Sequence, residues 1–376
     1  MKQTARIIST YTSDASGVAS ALFELGGMTV IHDASGCNST YNTHDEPRWY
    51  DTDSLVFVSA MTEMDAIMGD DEKLIGDIAD AAQQLQPRFV AVCGTPIPML
   101  VGTDFTAVAA AVEARTGIPA MGLATNGMHT YISGAGMALA AVARRFADRS
   151  AVCTNRRSVN LLGLTPLDFS VNGSDAAMRR LLTRAGWEIV SCWAMGSGLD
   201  ELCRAGQAAV NLVVSSAGLP AARELQALFG TPYVCAAPFG TAFPQTVLQA
   251  LEEAADTGVC SIPYTARLTA GAQTVLIGES VTSGSLAAAI TAETGLPVRV
   301  LCPTEAQPAL LAPGDCMAED EDDLIPLLAG AQHIIADPMY RPICPADSAF
   351  FPLPSEAFSG RIYRRSIPNL VGTPLV

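Results

Sequence analysis

RFVAVCGTPIPMLVGTDFTAVAAAVEARTGIPAMGL, residues 88–123, decides the fold of this chain. An apolar run reads as a buried strand, a Gly/Pro turn ends it, and an amphipathic helix follows. Gly117 suits the left-handed position after a helix, and Pro119 forbids the helix from continuing into the next strand. The unit recurs as AVNLVVSSAGLPAARELQALFGTPYVCA (209–236) and QTVLIGESVTSGSLAAAITAETGLPVRVL (273–301), with Gly230/Pro232 and Gly295/Pro297 in the same places. Short apolar strands alternating with helices of three to four turns imply βαβ units with right-handed crossovers. The expected fold is α/β, with three Rossmann-like domains built on parallel sheets: residues 1–152, residues 153–268 opening at Ser158, and residues 269–376 opening near Ala272. The stretch from Asp256 to Arg267 reads as the linker between the last two.

The bulk numbers exclude several function classes. A net charge of −16 with only 22 Lys+Arg leaves no basic footprint for nucleic acid or an anionic membrane surface. The acidic run AEDEDD (318–323) reads as a solvated helix start. MKQTARIISTYTSD at the N-terminus has no long apolar stretch, and no later segment reaches membrane-spanning length, so a cytoplasmic location is expected. The ten cysteines are then core residues or ligands rather than bridges. No G-x-x-x-x-G-K-[ST] is present, so the chain is not expected to hydrolyse ATP itself.

Two cysteines stand in informative places. Cys37 (VIHDASGCNSTY) and Cys93 (RFVAVCGTPIPM) each follow or end an apolar run, and each touches a glycine, Gly36 and Gly94. Open α/β sheets place ligand chemistry at such strand ends. These two are not a CxxC pair. They read either as iron–sulfur ligands or as two small buried residues; two thiolates per chain complete a four-thiolate site only if a second subunit supplies the rest. The loop after Cys37 holds His44, Asp45, Glu46, Arg48, Trp49 and Tyr50, with His32 and Asp33 before it. It reads as a charged surface loop or as a substrate or partner surface. Glu63, Asp65 and Lys73 fit a helix-entry charge pattern. His129 lies in a glycine-containing loop, and Cys235 and Cys344 end apparent strands where either can face a cleft.

Together HDASGC (32–37), TEMDAIMGDDEKL (62–74), VCGTPIPMLVGTD (92–104), CWAMGSGLDEL (192–202) followed by AVNLVVSS (209–216), and FPLPSEAFSG (351–360) resemble the nitrogenase component 1 superfamily, in the family's order and over nearly the whole chain. The resemblance implies three Rossmann-like domains, Cys37 and Cys93 as ligands of a cluster at a subunit interface, and an ATP-hydrolysing iron protein as electron donor. The departures are informative. The family's first interface cysteine falls near Thr10 or Tyr11. Its cofactor thiolate falls at Ser215 or Ser216, and its cofactor histidine near Pro354. A hydroxyl is a poor substitute for thiolate on iron, so dinitrogen reduction is not expected. What the resemblance implies instead is a reductase component with a 4Fe-4S cluster shared with a second copy of itself or a homologous subunit. Its small-molecule substrate would be oriented or protonated by His32, His44, Asp45, Arg48 or His129. The rivals are a metallocofactor assembly scaffold and a cluster-free small-molecule binding protein.

Overall fold

The computed structural model describes residues 5–34, 45–69 and 71–375. It contains three parallel sheets. The first has the order β2-β1-β3-β4, with β1 Met28–His32, β2 Leu55–Val58, β3 Val90–Gly94 and β4 Ala120–Leu123. Around it lie α1 (Asp14–Leu22), α2 (Glu63–Met68), α3 (Glu72–Leu85), α4 (Pro96–Val101), α5 (Phe105–Thr116) and α6 (Tyr131–Phe146). The second sheet repeats the topology as β6-β5-β7-β8, from β5 Ser158–Leu162, β6 Glu188–Cys192, β7 Val210–Val213 and β8 Tyr233–Cys235. Its helices are α7 (Pro166–Phe169), α8 (Ser174–Arg184), α9 (Leu199–Cys203), α10 (Leu219–Phe229) and α11 (Phe243–Thr257). The third sheet runs β11-β10-β9-β12-β13, from β9 Thr274–Ile277, β10 Val298–Cys302, β11 Cys316–Met317, β12 His333–Ala336 and β13 Ala349–Pro352, with α12 (Ser280–Thr294), α13 (Glu321–Leu328) and α14 (Glu356–Ser359).

The three glycines of the repeat do what their spacing predicts. Gly117, Gly230 and Gly295 follow α5, α10 and α12 with φ of 71°, 73° and 75°, and each N–H closes the last helical turn. The acidic run opens α13, capped by Asp320. The segment expected to be a linker is more than that. Ser261 bridges to Val234 at the edge of the second sheet, and the buried Tyr264 donates its hydroxyl to Leu310 O at 2.8 Å. We propose residues 152 and 268 as the domain boundaries.

Packing is decided by close backbone approach. A Cβ on Gly17 of α1 would come within 2.1 Å of Tyr131 O, and one on Gly134 of α6 within 1.8 Å of Asp14 O. The two helices therefore cross backbone to backbone, and α6 in turn meets Pro220 of α10 at Gly136. One continuous apolar core runs from α1 through all three sheets, while a second, smaller one fills the other face of the first sheet beneath α3 and α5. In β3 the alternation sends Ala91 and Cys93 to the main core and Val90 and Val92 to the smaller one.

Gly134→Val should lower stability by about 3 kcal/mol in urea unfolding, because the overpacked crossing cannot relax. Gly76→Ala should instead raise it by about 0.5–1 kcal/mol, since this glycine lies within α3 and a Cβ there would meet nothing within 4 Å.

Candidate functional site

Parallel sheets bind ligands beyond the carboxyl ends of their strands, where the strand order reverses. In the first sheet that point lies between β1 and β3. There Thr95 Oγ1 donates to Asp33 Oδ1 at 2.7 Å, and His32 Nδ1 lies 2.7 Å from Ser59 Oγ. In the second sheet it lies between β5 and β7 and carries Thr165, Asp168 and Ser215; in the third it lies between β9 and β12 and carries Glu279 and Asp337. The second and third points share one cleft, whose lining includes Asp168, Glu279 and Asp337. Phe169, Phe239, Leu286, Leu353 and Phe358 supply apolar wall, and Ile367, Pro368 and Leu370 of the C-terminal segment border it. Asn172 Nδ2 ties that segment down by donating to Pro368 O at 3.0 Å. The first sheet contributes Tyr131, the opening residue of α6, whose hydroxyl donates to Asp168.

The three carboxylates differ in what holds them. Glu279 caps α12: it accepts from the Val281 and Thr282 N–H groups at 2.9 and 2.8 Å, from Ser216 N–H at 3.1 Å, and from the Ser280 and Thr282 hydroxyls. Asp337 accepts from the Met339 and Ser355 N–H groups, both at 2.9 Å, and from Ser359 Oγ at 2.8 Å. Both are tied into backbone turns. Asp168 lies in the first turn of α7, where its N–H donates to the capping Thr165 hydroxyl. Its carboxyl, by contrast, meets hydroxyls: Tyr131, Thr165 at 2.8 Å, and Ser215. Burial, then the nearby Glu279 charge, pushes it up to about 7. Burial raises Asp337 as well. No Lys, Arg or His lines the cleft among the described residues.

Among the described residues, those singled out from the sequence are not gathered at one centre. Cys37, Gly36 and His44 lie outside the described residues. Cys93 is the one of the two expected cluster ligands that the described residues include. It lies inside β3, fully buried against the core shared with α1, and burial followed by the nearby Asp14 carboxylate pushes its thiol up to about 12. Gly94 is explained by packing, since a Cβ there would lie 2.1 Å from the Phe105 ring. Arg48, expected on a substrate surface, is buried as a structural cation. It pairs with Glu46 at 2.7 Å and Glu24 at 2.8 Å and donates to Ala194 O and Ser20 O. Asp45 is also buried and acts as an anchor: it accepts the Tyr11 hydroxyl at 2.6 Å, and its carbonyl accepts from Arg364 at 3.0 Å.

His32 and His129 line two other depressions. His32 shares its own with Ser59, Asp65 and Lys73, and burial lowers its pKa. His129 is half-exposed, 3.4 Å from Glu305, on a polar cleft between the first and third sheets that also takes in Thr10, Tyr11 and Glu319. Cys235 is wholly buried, and Cys344 donates to Tyr340 O at 3.3 Å; neither lines the main cleft. Reading the sequence missed Asp168, Tyr131, Glu279 and Asp337. A signal was present: LLGLTPLD, LIGES and IIADP each place a carboxylate shortly after an apolar strand.

Three parallel sheets with their strand ends turned onto clefts define an α/β protein of the three-Rossmann type. The chain belongs to the nitrogenase component 1 type oxidoreductase family, whose sequence profile matches residues 13–328. It is 26% identical over 188 residues to the nitrogenase iron-molybdenum cofactor biosynthesis protein NifE of Clostridium pasteurianum, covering 49% of this chain and 40% of that protein. It is 29% identical over 112 residues to a light-independent protochlorophyllide reductase polypeptide of Nostoc punctiforme, covering 30% and 22%. The matched stretches thus span less than half the length of these curated relatives. A solved structure of nitrogenase Cp1 at pH 6.5 superposes with a TM-score of 0.68 at 14% identity, over 99% of this chain and 92% of that one.

The cofactor positions that the resemblance implies carry no soft donor, and Cys37 of the expected cluster pair lies outside the described residues. Cys93 is closed in, and the cofactor positions carry serine hydroxyls and Pro354. Among the described residues no three His, Cys, Asp or Glu side chains converge in a way that could hold a metal ion. No helix among the described residues is long and apolar enough to cross a membrane.

Native alkylation with iodoacetamide should label the exposed Cys153 and leave Cys93 unmodified until the protein is unfolded, read by peptide mass spectrometry. Arg48→Met should cost about 3–5 kcal/mol in urea unfolding, because two carboxylates lose their buried partner.

Proposed function

We propose that this chain is the substrate-holding subunit of a nitrogenase-like reductase, acting on a small organic molecule in the cleft between the second and third sheets. One observation carries the reading: the strand-order reversals of two sheets open on a single cleft, and the positions where the family would ligate a metal cofactor carry Ser215 and Pro354 beside it. That arrangement leaves space and hydrogen-bonding groups for an organic ligand and, among the described residues lining it, no soft donor for a metal one. It also disfavours the scaffold reading, since a scaffold needs donors to hold its cargo.

Electrons in this reading come from an ATP-hydrolysing iron protein. The closed Cys93 changes the expected assembly. With Cys37 as the one remaining thiolate candidate, two copies of this chain fall short of the four that a 4Fe-4S cluster takes. A homologous, cysteine-richer partner therefore fits better than a second copy. His129 with Glu305, on the neighbouring polar cleft, is a secondary proton source.

The test is anaerobic reconstitution of this chain with its co-encoded partner, the iron protein and ATP. ATP-dependent electron consumption that requires this chain is expected, and His129→Ala should leave most of that rate intact. The same electron consumption without this chain, or none from the complete complex, would overturn the reading and favour a cluster-free binding protein.

A further inference from the structure

We propose that the cleft selects a small base with an apolar body, an amine or imine, and that Asp168 is the acid–base group that pairs as carboxylate with its protonated nitrogen. This deepens the reading of the cleft as the substrate site and rests on it. The argument starts from what each cleft group can still do. Glu279 and Asp337 are committed to backbone N–H groups and cap the turns that shape the site. Drawing either carboxylate toward a ligand would strand those donors in the interior.

Asp168 is free of such ties at its carboxyl. It is half-buried as a residue, it lines the cleft, and its oxygens are met by the side-chain hydroxyls of Tyr131, Thr165 and Ser215. Hydroxyls can turn, so they can support the carboxylic acid or the carboxylate in the same place. The groups facing it are Tyr131 from α6 and Glu279 from the start of α12, with Asp337 lining the same cleft. No cation lines the cleft among the described residues, so a proton on Asp168 is the cheapest neutralisation available there.

The chemistry follows from that balance. An anionic ligand would enter a cleft with carboxylates and no basic side chain to receive it. A neutral apolar ligand would bury well against Phe169, Phe239 and Leu286 but gain nothing from Asp168. A nitrogen base gains both. An unprotonated imine takes the Asp168 proton on its lone pair, an N–H bond forming as the O–H bond breaks; an amine arrives as its ammonium ion and sends the Asp168 proton to solvent; in both cases no electrons change hands and the cation stays paired with the carboxylate. For an imine this protonation is also what prepares the C=N bond to accept electrons. Burial has already brought Asp168 to about 7, so proton exchange falls at neutral pH.

The experiment uses the intact chain without iron protein, ATP or electrons, so a failed reductase assay leaves it standing, and failed binding leaves the electron-transfer question separate. Benzylamine, benzyl alcohol and benzoate are matched probes for titration calorimetry in two buffers of different ionisation enthalpy. At pH 6 benzylamine arrives already protonated, so Asp168 should release close to one proton to the buffer on binding. Benzyl alcohol should release none and bind at least tenfold more weakly, and benzoate should not bind. Asp168→Asn should abolish the proton release and weaken benzylamine at least tenfold while leaving benzyl alcohol unchanged. In the unmutated protein, benzylamine affinity should rise roughly tenfold from pH 6 to pH 8 as Asp168 ionises. Benzoate binding as tightly as benzylamine, proton release that persists in Asp168→Asn, or a flat pH profile would each overturn the proposal. The pH profile keeps the test decisive if the variant fails to fold.

Discussion

Helices α1 and α6 touch through bare backbone, and the arrangement of the molecule follows from that contact. Gly17 and Gly134 leave no side chain between them, so the start of α6 is drawn down onto the start of α1. Asp14 can then accept from the Asn126 and Gly127 N–H groups at 2.9 Å and fix the loop that leaves β4. Thr130 donates to Glu305 of the third sheet's connection, and Tyr131 reaches Asp168 of the second. A helix belonging to the first sheet thereby ties down both of the others. With larger residues at these two glycines, the helices would stand apart and Tyr131 would fall short of the cleft.

Polar groups in this interior separate into two kinds. Arg48 with Glu46 and Glu24, Arg267 with Asp315, and Arg364 with Glu356 are buried or half-buried ion pairs. Their geometry is fully used, and each would be costly to break from one side. Asp168 has no cationic partner among the described residues and lines the cleft. The difference in partners, rather than depth alone, separates structural charge from a group able to exchange a proton.

The closed position of Cys93 also bears on assembly. Symmetric closure of a four-thiolate site depended on two accessible cysteines per chain. With one of them packed into the core, the asymmetric pairing proposed above follows from the burial of Cys93.

The repeat of strand, turn, helix, glycine and proline was legible from the sequence alone, and with it the α/β class, the three parallel sheets and the left-handed glycines at 117, 230 and 295. Those features depend on local backbone preference and on alternation within a few residues. The family was legible too, because its motifs stand in order along the chain. The site was not. Cys93 and Arg48 carried the residue types of a functional centre, yet the pleat of β3 turned one into the core and two carboxylates enclosed the other. Asp168, Tyr131 and Glu279 are far apart in the chain and looked ordinary there. Only the tertiary structure, through the glycine crossing and the facing strand ends of two sheets, brought them to one cleft, since a side chain's burial and charge neighbours are set by segments distant in sequence.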